Sequence, residues 1–172
     1  MVERLGERSI SISDFLIASF VRNPFTWTLS VWEEFYRMGN TAAGAAYLRE
    51  YPDGQFVSFL RHVRDMRGRN IDLPWGMRPQ NWFFADFRPG FLGRHESFAT
   101  DVRRFMMIIG ASMPPELPHE EQRDSRVARA KLSAYYDGPA QELVRDLFAT
   151  DFDTFGYSPE LPVDQPCPTP GT

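Results

Sequence analysis

From Phe15 to Val21 the chain is an unbroken run of apolar and small residues, FLIASFV, bounded by polar ones. A short run of this kind predicts a strand buried on both faces, the pattern of a parallel sheet. Arg22-Asn23-Pro24 ends it. Asn23 can cap a helix, and Pro24 fits the first helical turn, where a missing N–H costs nothing. Phe25, Leu29, Trp32 and Tyr36 then recur at helical spacing, which predicts a helix near 25–38 with one buried face. The unit is strand, tight turn, helix, with an arginine at the strand's carboxyl end. In open parallel sheets ligands bind there. Free N–H groups at the helix start and a neighbouring guanidinium make an anion site.

The same patterning continues downstream. Residues 39–52 are small and mixed, a weak helix and a loop. Asp53 is placed to cap a helix over 54–67 whose apolar face is Phe56, Phe59, Leu60, Val63 and Met66. His62 lies off that stripe and reads as solvent-facing. Proline and glycine mark 74–82 as a loop. Phe98, Val102, Phe105, Met106 and Ile109 predict an amphipathic helix near 96–109, stopped by Gly110. Met113 to Arg129 reads as a loop. Tyr135-Tyr136-Asp137 caps a helix near 139–150, with Leu143, Val144, Leu147 and Phe148 inward. Residues 1–13 are a polar lead-in, and 158–172, with five prolines, read as a disordered tail. Residues 1–157 are expected to form a single α/β domain, a parallel sheet flanked by helices.

Composition narrows the class. A chain of 172 residues with 42% hydrophobic and 15% aromatic residues is globular. No apolar run approaches the ~20 residues of a membrane span, and no signal peptide is visible. The single cysteine, Cys167, permits no internal disulfide and fits a reducing, cytoplasmic setting. A net charge of −4 argues against general nucleic-acid binding. The charge is uneven, however: residues 61–104 hold nine arginines against five acids, and 111–172 five basic residues against eleven acidic. A basic middle can attract a phosphorylated cofactor or an acidic glycan, although most of these arginines read as a solvated helix face. Lys131 is the only lysine. The three histidines are scattered, so no metal-ligand spacing appears and no metal is expected.

Several segments together resemble the sulfotransferases that use PAPS (3′-phosphoadenosine 5′-phosphosulfate), in particular their carbohydrate-type branch. Arg22-Asn23-Pro24 with Ser30 resembles the segment that holds the nucleotide's 3′-phosphate, which implies that role for Arg22 and Ser30. Pro79-Gln80, followed by Asn81-Trp82, resembles a feature near the acceptor cleft. There Gln80 and Trp82 are the implied substrate contacts, and Trp75, Trp82 and Phe83 can either stack on sugar rings or plug the core's edge. Leu92-Gly93-Arg94-His95-Glu96 resembles the family's I/V-G-R-F/Y-E element, with His95 in the aromatic slot. Structural duty is the reading for Arg94 and Glu96, and Asp101 stands where the family has Asp. Leu117-Pro118-His119 with Ser125-Arg126 resembles L-P-H-x-N-x-S-x-R, with Glu121 in place of the Asn, which implies nucleotide contacts for Ser125 and Arg126. The stretch from Tyr135-Tyr136-Asp137 to Asp151-Phe152-Asp153-Thr154-Phe155-Gly156-Tyr157 resembles the family's long closing signature.

The resemblance covers about residues 14–157. It implies a P-loop-kinase-like sulfotransferase fold and sulfuryl transfer from PAPS, as co-substrate, to a carbohydrate-like hydroxyl, with no metal. One departure stands out. No G-x-x-x-x-G-K-[ST] or Lys-containing loop precedes Phe15, so the fold is expected to be incomplete at its N-terminus, lacking the 5′-phosphosulfate loop and the usual base. Glu33, Glu34, His62 and His95 are substitutes in principle, but none stands at the family's position. The isolated chain is therefore expected to be slow or inactive. The truncated sheet edge should expose apolar surface beside Phe15–Val21 and invite self-association. The alternative is an inactive relative that serves as a nucleotide-binding or interaction protein.

Overall fold

The computed structural model describes residues 15–39, 41–112 and 132–162. The chain divides into two compact units, one of Met1–Val21 with Phe84–Leu117, the other of Arg22–Phe83 with Pro118–Thr172.

In the first unit the apolar run forms strand β1 (Ala18–Val21), which pairs in parallel with β2 (Phe91–Arg94). Ala18 stands opposite Phe91 and Val21 opposite Arg94. The expected strand was longer and buried on both faces. The ladder instead begins where the Phe91 N–H reaches the Ile17 carbonyl, because β2 has only four residues. Phe15 and Leu16 lie outside it, 53% and 46% exposed. Phe20 packs against Phe91 and Phe98, with centroids 6.1 and 4.9 Å away. That ring lies so close to β2 that a Cβ on Gly93 would overlap it, which explains the glycine. A 3-10 turn (His95–Ser97) leads into helix α1 (Phe98–Ile108). Its expected apolar face is only half-buried, and Ile109 is exposed. The buried residue on this helix is Asp101.

The second unit is helical. Helix α2 (Pro24–Val31) starts as its sequence predicts: Asn23 Oδ1 accepts from the Phe25 N–H at 3.0 Å, and Pro24 occupies the first turn. It continues into a π-turn (Trp32–Tyr36). Phe25, Leu29, Trp32 and Tyr36 are all buried. Helix α3 (Ala42–Glu50) is capped by Thr41. Helix α4 (Phe56–Gly68) begins two residues later than expected because Gly54 adopts a left-handed φ of 59°. Asp53 still contributes, accepting from Gln55 N and Ser58 Oγ. Its apolar face is buried from Phe56 to Val63. His62 is not solvent-facing. It packs on the rings of Tyr47 and Tyr51 with Nδ1 3.4 Å from Glu50.

Two 3-10 turns follow (Trp75–Met77 and Gln80–Phe84). The closing stretch then supplies helices α5 (Gly138–Leu147) and α6 (Ala149–Phe155). The expected single helix over 139–150 breaks at Phe148, whose φ of −122° is not helical. The closing residues are committed to architecture. Tyr136 donates its hydroxyl to the Phe25 carbonyl at 2.6 Å and packs edge-on against Phe25. Tyr135 packs on Trp32 and Phe56, and Asp137 caps α5. Phe152 meets Phe25, and Gly156 closes α6 in the left-handed region. The result is a helix-rich α/β chain with a small parallel sheet.

Candidate anion-binding turn

The turn that follows Val21 is built from short polar contacts in the second unit. Arg22 is half-buried, and its Nε donates to Thr26 Oγ1 at 3.1 Å. Thr26 Oγ1 in turn donates to the Asn23 carbonyl at 3.0 Å. Residues four apart share a helix face, so Thr26 and Ser30 continue the line that Arg22 begins. Thr26 spends its one hydroxyl proton on the Asn23 carbonyl and holds the Arg22 stem, so the donors on this side of α2 suited to an anion are the Arg22 guanidinium and the Ser30 hydroxyl. The helix's own amides contribute less than the sequence implied. Pro24 has no N–H, and that of Phe25 is taken by Asn23.

Gln80 locks the turn. Its side-chain Oε1 accepts from the Arg22 N–H at 2.9 Å, and its Nε2 donates to the Arg22 carbonyl at 2.7 Å. This two-way clasp fixes both peptide groups of Arg22. Gln80 is itself held by Asp151, which is fully buried. Asp151 Oδ2 accepts from the Gln80 N–H at 2.7 Å and Oδ1 from the Asn81 N–H at 2.8 Å. Burial pushes the Asp151 carboxyl above its ordinary range, against the pull of those two N–H groups. A buried carboxylate needs such partners.

The two 3-10 turns carry exposed aromatic rings. Trp75 and Trp82 are each 54% exposed. Trp75 rests edge-on against Trp27 and Phe35. The Arg78 guanidinium sits 4.0 Å from the Trp82 ring centre, held by Asp72 and the Leu73 carbonyl. Phe83 meets Trp82 edge-on. Each ring keeps part of its surface exposed, on which a flat apolar C–H face can stack.

The first unit has its own polar knot. Asp101 accepts from the Arg94 N–H at 2.8 Å, Ser97 Oγ at 2.7 Å and Arg104 Nη1 at 2.9 Å. Burial pushes its carboxyl up, but these three donors hold it below the usual value. The knot ties the end of β2 to α1, a structural duty.

Of the residues singled out from sequence, the structure brings Arg22 and Gln80 into direct contact and places Ser30 on the helix that Arg22 opens. Trp82 is on the same turn as Gln80. Ser125, Arg126, Lys131 and Cys167 lie outside the described residues, as do the lead-in and most of the proline-rich tail. Thr26 and Asp151 were not singled out. Thr26 had a signal, its spacing of four from both Arg22 and Ser30. Asp151 had one too: it falls among Val144, Leu147, Phe148, Phe152 and Phe155, on the face that must be buried. Among the described residues no group of three or more His, Cys, Asp or Glu is placed to hold a metal ion, and no helix is long and apolar enough to cross a membrane.

The sequence model of a family described as the sulfotransferase family matches residues 3–158. No curated protein and no solved structure matches the chain.

Proposed function

Because the chain belongs to the sulfotransferase family, we propose that it takes PAPS as donor, in a P-loop-kinase-like fold, and passes the sulfuryl group to a hydroxyl of a carbohydrate-like acceptor. In that reaction the acceptor oxygen bonds to sulfur, the bond from sulfur to the bridging phosphate oxygen breaks, and adenosine 3′,5′-bisphosphate leaves. The acceptor's proton passes to a base. The observation that carries the reading is the turn at Arg22, whose guanidinium opens a line of donors along α2. On this reading Arg22 and Ser30 hold the 3′-phosphate, Thr26 supports the Arg22 stem, and Ser125 and Arg126 are further nucleotide contacts. Trp82 and Trp75, both exposed, offer stacking faces to an acceptor ring. Gln80, engaged with the Arg22 backbone, acts on the acceptor only indirectly.

Charge-assisted contacts of this kind are worth about 1.5–3 kcal/mol each. Arg22→Ala should therefore weaken adenosine 3′,5′-bisphosphate binding by roughly ten- to a hundredfold. The functional test is transfer from radiolabelled PAPS to a panel of glycans, run on this chain and on a form extended upstream of Met1. Label on a glycan, reduced in Arg22→Ala, supports the reading. Nucleotide binding with no transfer by either form favours a nucleotide-binding protein. Absence of binding by both overturns the proposal.

A further inference from the structure

A 3′-phosphate gives Arg22 a ligand but not a reason to hold still. An arginine has about four rotatable side-chain bonds, so its value as an anchor depends on a fixed backbone and a fixed stem. Thr26 supplies a contact for the stem through Nε. The backbone is fixed from 58 residues away in sequence by the Gln80 carboxamide, which pairs with both the N–H and the carbonyl of Arg22. Gln80 can do so only if its own backbone is placed, and that placement comes from Asp151, 71 residues further on. The carboxylate accepts two successive N–H groups, of Gln80 and Asn81, and so sets the first turn of the 3-10 segment Gln80–Phe84. Gln80 and Asp151 are both buried.

We propose that Asp151, acting through Gln80, is a positioning residue for Arg22, so that phosphate affinity at the α2 turn is set in part by a carboxylate that never touches the nucleotide. This rests on the assignment of Arg22 to the 3′-phosphate. It also gives the acidic residue of the closing D-F-x-x-F-G-Y stretch a specific task. Hydrogen bonds to Arg22 are lost if Gln80 is replaced by methionine, which keeps the side chain's length and volume. Asp151→Asn keeps the shape but leaves one of the two N–H groups facing an amide NH2 in place of an oxygen.

The test is a double-mutant cycle on the full chain, read by calorimetric titration with adenosine 3′,5′-bisphosphate. Arg22→Ala, Gln80→Met and the pair are compared with the unmodified chain, with Asp151→Asn as a second probe of the relay. Thermal melts confirm that each variant is folded. Gln80→Met should weaken binding by about tenfold, as expected for loss of neutral hydrogen bonds. That loss should disappear in the Arg22→Ala background. Asp151→Asn should behave in the same way, and where it fails to fold, Gln80→Met alone decides. A general structural role would give Gln80→Met the same effect in both backgrounds, and that result overturns the proposal. So does unchanged affinity in Gln80→Met when Arg22→Ala binds weakly, which leaves the phosphate assignment standing. Equal affinity of Arg22→Ala and the unmodified chain, or no binding by either, removes the assignment and the relay together.

Discussion

The two units bury their apolar residues to different degrees. In the second, Phe25, Tyr47, Phe59, Leu60 and Val144 are within about one percent of complete burial, and rings meet rings from Phe25 to Phe152. In the first, Phe15, Leu16, Leu92, Met107, Ile108 and Ile109 are all substantially exposed. Among the described residues each unit nevertheless contains one buried aspartate that gathers donors: two backbone N–H groups at Asp151, and one backbone N–H with a hydroxyl and a guanidinium at Asp101. In the second unit such a carboxylate refines a core already closed by packing. In the first it shares with the Phe20, Phe91, Phe98 and Phe105 rings the tying of β2 to α1. Local order can thus rest on apolar area or on a polar knot, and the two respond differently to mutation and to pH.

Truncation at the two kinds of position should separate them most widely. Phe25→Ala empties a fully buried site and should destabilise by about 3–5 kcal/mol, as large-to-small core changes do. Leu92→Ala, on the exposed side of β2, should stay within about 0.5 kcal/mol. Urea unfolding of the two variants measures both. Comparable losses would mean that the apolar surface of the first unit is covered in solution.

The aspartates should respond to pH with opposite signs. The donors around Asp101 depress its pKa in the folded state. Its stabilisation is therefore present above the ordinary carboxylate value of about 3.9 and lost as pH falls through the folded pKa. Burial raises that of Asp151. Its contribution is present below the ordinary value and lost as pH rises through the raised one. Compared with their Asn variants, the stability difference for Asp101 should grow with pH across this range, and that for Asp151 should shrink. Parallel slopes in urea titrations from low to neutral pH would refute the contrast.

His62 should give the smallest effect. Burial lowers its pKa, against the pull of the Glu50 and Asp65 carboxylates. Protonation then favours the unfolded chain, so stability should fall as pH drops through the ordinary histidine value of about 6.5. His62→Gln should flatten the melting-temperature profile in that region, and an unchanged profile would place the titration elsewhere.

The helices were legible because apolar residues at 3.6-residue spacing and a capping Asn or Asp leave few alternatives. Asn23, Pro24 and Asp137 do what their residue types allow. The strand was legible in place but not in length, because a strand's extent depends on its partner, and β2 supplies only four positions. The start of α4 was misjudged because Asp53 also satisfies the sequence pattern of a cap, while Gly54 turns left-handed and delays the helix. Within the candidate site, Arg22 was visible from its position after a strand. Its clasp by Gln80 was not, since no local pattern links residues 58 apart. The buried aspartates were hidden for a related reason. An acid on a helix reads as solvated until its distant N–H partners are known, and His62 was misread as exposed because its ring partners lie on α3 and in the turn after it.

The 3′-phosphate is the group that the α2 turn is proposed to hold. Calorimetric titration of the unmodified chain with adenosine 3′,5′-bisphosphate and with adenosine 5′-phosphate isolates it, because the two ligands differ only in that group. If the α2 turn holds the 3′-phosphate through Arg22, the bisphosphate should bind roughly ten- to a hundredfold more tightly. Equal affinity for the two nucleotides would contradict the account.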